Sequence, residues 1–236
     1  ITGEKDGTPG SDPQKVGVAV ADLFTGVYAT TAILAALHER EGTGRGRHID
    51  AALLDTQVAM LANQASNFLV GGLTPKRMGN SHVNIVPYQV FGTRDGHIVL
   101  ATGNDGQFQR VCTVAGHPEV GADARYARNE DRVARRDELV TTIAAWMRER
   151  TTAEWMAVLE SAGVPCAPIL TLPQVFEHPQ VQHRGVRIET DGVPMVATPM
   201  RFDGQRPVAE RRPPALDEHG AAIREALAAG KGWPAP

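Results

Sequence analysis

The chain has 236 residues, with 24 Lys and Arg against 27 Asp and Glu, a net charge of −3 and a calculated pI near 6.3. That length suits one large domain or two smaller ones, and the charge balance excludes a generic nucleic-acid surface or a polybasic membrane patch. The two cysteines, Cys112 and Cys166, stand far apart with no Cys-x-x-Cys spacing, which excludes a zinc module and a disulfide framework and points to the reducing cytoplasm.

Residues 1–13 read as a turn-rich loop without an initiator Met and without the pattern of a signal peptide. A loop leading straight into a long apolar helix implies a chain that begins in mid-protein, with a segment upstream. The helix runs from Gly17 to Leu37, and Asp22 is its only charged residue; none other occurs between Lys15 and Glu39. Its length approaches a membrane span, but Asp22, Tyr28 and its Thr and Gly residues make it a poor one. With so little polar face it is expected to be buried on most sides of a soluble fold.

Asp22 therefore invites two readings. It is a helix N-cap, which needs no chemistry, or it is a reactive carboxylate held at the helix N-terminus by the partial positive charge and the unpaired N–H groups there. A carboxylate at the mouth of a buried helix is costly unless used or well bonded.

The glycines of Gly42-Thr-Gly-Arg-Gly-Arg47 end the helix; the stretch lacks a P-loop pattern and reads as a connecting turn more readily than as a phosphate loop. His48–Asp50 predicts a short strand passing into a second helix through Met60 to Leu69, closed by Gly71-Gly72. Thr74–Pro87 is a loop rich in turn formers, in which His82 is either an exposed loop histidine or part of a site. Tyr88–Phe91 and His97–Ala101 flank an Asp-Gly turn and predict a hairpin. Helices follow at 105–116, 132–150 and 152–162; in the last two, Trp146 and Trp155 hold packing positions. Pro165 and Pro168 mark 163–170 as an edge segment. Short helices near 172–176 and 178–182, a hairpin about Asp191-Gly192 and a helix at 218–229 complete the chain. The scattered histidines predict no metal site, and Asp50 and Asp55 are expected to be caps or salt-bridge partners.

Several stretches together carry a family resemblance across essentially the whole chain. They are Val18-Ala-Val-Ala-Asp-Leu-Phe-Thr-Gly26 running into Ile33-Leu-Ala-Ala-Leu37, Gly42–Asp50 with Asp55, Val86-Pro-Tyr-Gln-Val-Phe91 to Asp95-Gly-His-Ile98, Gly103-Asn-Asp-Gly-Gln-Phe108, Gly163-Val-Pro-Cys-Ala-Pro168 and Phe176 to Gly185. In these the chain resembles the class III CoA-transferases, the formyl-CoA transferase and carnitine CoA-transferase family.

The resemblance implies an α/β fold, here the C-terminal part of an interlocked homodimer. Residues 1–75 would belong to the large domain, 76–185 would form a small α+β domain, and 186–236 would return to the large domain. It implies that Asp22 is the catalytic nucleophile, attacking an acyl-CoA thioester and passing through a mixed anhydride to an aspartyl-CoA thioester. Gly79, Asn80, Ser81 and His82 correspond to the glycine-rich lid that shields the anhydride from water. Their departure from polyglycine points away from formate and oxalate and toward dicarboxylates such as succinate, glutarate or citramalate.

The partners implied are a coenzyme A thioester as substrate and small carboxylic acids, with no metal, nucleic acid or membrane. The Rossmann-like half that holds most CoA contacts in the family has no counterpart here. Two alternatives are an α-methylacyl-CoA racemase on the same fold and a noncatalytic CoA-binding or assembly module with Asp22 as a cap.

Overall fold

The structure is a computed structural model that describes residues 2–231. The chain divides into two compact units, Ile1–Ile169 and Leu170–Pro236. This division differs from the limits expected near residues 75 and 185. Hydrogen bonds from the N-terminal segment help to unite the first unit. Asp6 N–H donates to Arg77 O at 3.1 Å and Gly79 N–H to Gly3 O at 3.1 Å, while Lys5 pairs with Asp137 at 2.8 Å.

Among the described residues, eight α-helices, one 3-10 turn at Ala124–Tyr126 and three strands make up the first unit. Helix α1 spans Val20–Thr43 and ends on Gly44, whose left-handed φ of 68° lets its N–H reach Arg40 O. No residue of α1 is buried, which corrects the expectation of a helix enclosed by its own fold. Leu23, Val27 and Leu34 are each more than 60% exposed. Among the elements of this chain, α2 is its main packing neighbour, so most of its apolar surface has nothing to meet. By length and composition alone α1 is apolar enough to cross a membrane. Its threonines turn their hydroxyls inward: Thr25, Thr30 and Thr31 donate to the carbonyls of Ala21, Gly26 and Val27. Such back-bonding satisfies a hydroxyl inside the helix and leaves an apolar outer surface.

The single helix expected after residue 50 is two, α2 (Leu53–Ala59) and α3 (Ala62–Leu69), and His48–Asp50 is irregular rather than a strand. The break falls at Ala62, with φ +46°.

Beyond Val86 the expected elements form. Strands β1 (Tyr88–Gly92), β2 (His97–Ala101) and β3 (Cys166–Pro168) make an antiparallel sheet with β2 in the centre. The alternation of β2 sends Ile98 and Leu100 into the core, both fully buried. Pro165 and Pro168 suit β3 to its edge position.

Helices α4 (Asp105–Val114), α5 (Pro118–Gly121), α6 (Asn129–Ala134), α7 (Arg136–Met147) and α8 (Thr152–Ser161) complete this unit. The predicted 132–150 helix is thus interrupted at Arg135. Asn104 caps α4 by accepting from Gln107 N–H at 2.9 Å, and Thr151 with Glu154 forms a capping box on α8. The hairpin tip adds to that cap, since Asp95 Oδ1 accepts from Thr152 N–H at 2.8 Å. Every buried residue of the core cluster lies between Val86 and Val164, with Trp146 and Trp155 among them as expected.

At the centre of this core is a cation. Arg132 is fully buried; its Nε donates to Val86 O at 2.8 Å, Nη1 to Tyr126 O at 2.9 Å and Nη2 to Asp105 Oδ1 at 2.8 Å. Its guanidinium also lies over the Phe108 ring, 4.7 Å from the centroid.

The second unit holds α9 (Leu172–Glu177), α10 (Pro179–His183), the antiparallel pair β4 (Arg187–Thr190) and β5 (Val193–Val196), and α11 (Gly220–Ala228). Asp191 and Gly192, both at positive φ, make the predicted turn. Arg201 and Arg206 staple the following segment back by donating to Arg184 O at 2.5 and 2.8 Å.

Candidate active site

Asp22 is the third residue of α1. The N-cap is Ala19, and no side chain caps the helix, so the reading of Asp22 as an N-cap is set aside. Its carboxylate is exposed, and among the described residues it accepts no hydrogen bond and joins no ion pair. Val20 N–H is taken by Val18 O at 2.8 Å and Leu23 N–H by Ala19 O at 3.1 Å. The amides between them, Ala21 and Asp22, have no acceptor among the described residues. An unpaired carboxylate therefore shares the first turn with free N–H donors, the arrangement a nucleophile and its developing oxyanion require.

Asp22 opens onto a groove of about 750 Å³. One wall is the segment from Lys15 to Ala21 that leads into α1. Gln57, Met60 and Leu61, at the end of α2 and just beyond it, form another, and Thr2 contributes from the N-terminal segment. That segment is held by Gln14 N–H donating to Thr2 O at 3.1 Å and by the Thr2 hydroxyl donating to Gln14 O. Lys15 is the only basic residue lining the groove. It is exposed and makes no ion pair among the described residues.

Gly79, Asn80, Ser81 and His82, expected as a lid, lie together elsewhere, against β1, and none lines the Asp22 groove. Gly79 has φ +62°, a conformation that favours glycine, and its N–H is fixed to Gly3 O. Asn80 Oδ1 accepts from Val90 N–H at 2.9 Å, and Ser81 Oγ donates to Gln89 Oε1 at 2.9 Å. His82 stacks on Tyr88 with centroids 5.1 Å apart, and its Nδ1 accepts from Asn84 N–H at 3.1 Å. Partial burial lowers the His82 pKa, and the nearby Arg136 guanidinium lowers it further. Arg136 holds the loop from the other side by donating to Val83 O at 2.7 Å. The N-terminal segment connects the two places, since Gly3 holds Gly79 while Thr2 lines the groove.

Two other sequence candidates have structural duties, whereas Asp50 and Asp55, expected as caps or salt-bridge partners, form neither a cap nor an ion pair among the described residues. Arg47 turns back to pair with Glu39, its Nε 3.0 Å from Oε2. His178 caps α10 by accepting from Gln180 N–H at 3.1 Å. Among the described residues no cluster of three or more His, Cys, Asp or Glu is placed to hold a metal ion. Lys15 and Gln57 were not singled out as site residues, although Lys15 is the last charge before Asp22 and that isolation was the available signal.

A mixed helix-and-sheet chain with a lone carboxylate at the head of a long apolar helix is the class of protein that these features define. Residues 2–220 match the model of CoA-transferase family III, and the chain belongs to that family. It is 44% identical over 229 residues to a succinate–glutarate CoA-transferase of Agrobacterium fabrum, covering 94% of this chain and 56% of that protein. To the succinyl-CoA:glutarate CoA-transferase of Mus musculus it is 42% identical, covering 93% and 50% respectively. Among solved structures, a CaiB/BaiF family protein from Brucella suis aligns with a TM-score of 0.77 at 46% identity, over 96% of this chain and 59% of that one. The chain thus spans about half the length of the curated relatives it matches.

Proposed function

We propose that the protein transfers coenzyme A between an acyl-CoA thioester and a carboxylic acid, with dicarboxylates of the succinate and glutarate type as its acids and Asp22 as its nucleophile. The observation that carries the reading is Asp22 itself, exposed, unpaired and next to free N–H groups at the mouth of a groove. Relatives named for succinate and glutarate support the choice of acids.

In this reading the Asp22 carboxylate attacks the thioester carbonyl carbon. The C–S bond breaks, CoA leaves as the thiolate, and the donor acyl group remains on Asp22 as a mixed anhydride. The thiolate then attacks the Asp22 carbonyl of that anhydride, releasing the donor acid and forming an aspartyl-CoA thioester. An acceptor carboxylate attacks this thioester, expelling the thiolate and giving a second anhydride. The thiolate finally takes the acceptor acyl group, and Asp22 is restored as a carboxylate. Each addition places negative charge on a carbonyl oxygen, which the first-turn N–H groups of α1 would receive.

Gly79, Asn80, Ser81 and His82 serve as the lid that excludes water from the anhydride. The working protein is a homodimer in the cytoplasm. The bare apolar surface of α1 supports a covering partner, because isolated soluble proteins rarely leave large contiguous apolar patches exposed. Two unpaired cysteines suit a reducing compartment.

The test is Asp22→Asn in the intact protein, assayed for exchange of CoA between succinyl-CoA and glutarate. The expected loss is on the order of a thousandfold or more, with CoA binding retained. Full exchange activity in the variant overturns the role of Asp22.

A further inference from the structure

We propose that Lys15 is the specificity-determining residue that selects dicarboxylates, by pairing with the carboxylate that does not react. The inference rests on the CoA-transfer reading above and adds to it a second group in the same groove.

When one end of a dicarboxylate is joined to Asp22 as an anhydride, or to CoA as a thioester, the other end remains an anion. An anion enclosed in a site needs a counter-charge or strong donors. The groove that Asp22 opens onto has one basic residue, Lys15. That residue makes no ion pair among the described residues, so its ammonium is not already committed to a carboxylate.

Lys15 and Asp22 stand at opposite ends of Lys15-Val-Gly-Val-Ala-Val-Ala-Asp22, a segment that lines the groove along its whole length. The backbone at the Lys15 end is fixed by the Gln14 to Thr2 hydrogen bonds. The wall between the two charged residues is apolar, Val16, Val18 and Val20 with glycine and alanine, and is suited to the methylene chain of the acid.

The residue type also fits. A lysine is a compact charge on a flexible four-carbon stem, whereas arginine presents a rigid fork. A flexible point charge can follow a distal carboxylate across acids that differ by one methylene, as succinate and glutarate do.

A phosphate of CoA has the same anionic chemistry, and the experiment separates the two. In the intact protein, Lys15→Met and Lys15→Arg are compared with the parent using succinyl-CoA as donor, with glutarate and butyrate as acceptors of matched reacting ends. Butyryl-CoA is then paired with butyrate labelled in its carboxyl carbon, an exchange with no distal carboxylate on either side.

The expected result for Lys15→Met is a fall of about 10- to 100-fold in kcat/KM for glutarate, with butyryl exchange within about twofold of the parent. Lys15→Arg should recover part of the glutarate activity, since it restores the charge. A comparable fall in the butyryl-CoA and butyrate exchange, or a weakened affinity for CoA itself, assigns Lys15 to the phosphates or to folding and overturns the proposal. So does an unchanged preference for glutarate. If the parent protein transfers CoA to neither acid, the CoA-transfer reading fails first, and this proposal falls with it.

Discussion

Arg132 gives a test of how the loop and sheet behind the candidate lid are held. Replacing it with Met keeps an unbranched apolar stem and removes every donor. Val86 O and Tyr126 O then lose their partners at 2.8 and 2.9 Å, in residues that are 0% and 4% exposed. Each buried acceptor left unpaired costs about 1–3 kcal/mol. The cation–π contact with Phe108 is lost as well, so the expected destabilisation is about 3–5 kcal/mol, a large share of a typical domain's stability.

Asp105→Asn is the control. Asp105 is half exposed, the amide oxygen can still accept from Nη2, and the backbone carbonyls still hold Arg132, so the expected cost is about 1 kcal/mol or less. Urea unfolding followed by the fluorescence of the buried Trp146 and Trp155 measures both. Replacing a buried ion pair by apolar groups is often harmless, but here the main acceptors are backbone carbonyls that cannot be removed. An Arg132→Met protein within about 1 kcal/mol of the parent would refute that reasoning.

Two further outcomes follow from burial. The folded pKa of His82 lies below its unfolded value because of desolvation and then Arg136, so the unfolded chain takes up the proton first as pH falls. Stability from this group is therefore complete above about pH 6.5 and declines below it toward the folded value; protonation of Nδ1 also breaks the bond from Asn84. Unfolding curves between about pH 7 and 5 should show a shallower acid loss in His82→Asn than in the parent, and equal slopes would contradict the assignment. Burial also pushes the Cys112 thiol up to about 12, so in the native protein a maleimide should modify the half-buried Cys166 first and reach Cys112 only on unfolding. Equal labelling rates would show that the core around Cys112 is open.

Much of the fold is legible where the signal is local. The Asp95-Gly96 and Asp191-Gly192 turns define both hairpins, Thr151 and Glu154 announce the start of α8, and Pro165 and Pro168 mark an edge strand. The failures are tertiary. Nothing between Met60 and Ala62 carries a Gly or Pro, yet the helix breaks there. An arginine pattern gives no hint that Arg132 is buried, because its main partners are the backbone carbonyls of Val86, ahead of β1, and of Tyr126, which no side-chain pattern records.

The apolarity of α1 predicts burial, but this chain supplies little surface to meet it. In the site, Asp22 stands out as a lone charge in an apolar run, a purely sequential property. Gln57 and Met60 reach the groove only because the end of α2 packs beside the entry to α1. The 74–87 segment is legible as a turn-rich loop from its composition, whereas its attachments to Gly3, Val90 and Arg136 depend on segments distant in sequence.

The central claim is that Asp22 becomes covalently linked during the reaction. The most direct measurement is mass spectrometry of the intact protein incubated with succinyl-CoA, trapped with hydroxylamine and mapped by peptide. The account predicts a hydroxamate on Asp22 within the peptide containing Val18-Ala-Val-Ala-Asp-Leu-Phe, absent without succinyl-CoA and absent in Asp22→Asn. CoA exchange proceeding with Asp22 unmodified, or a trapped adduct on another residue, would contradict it.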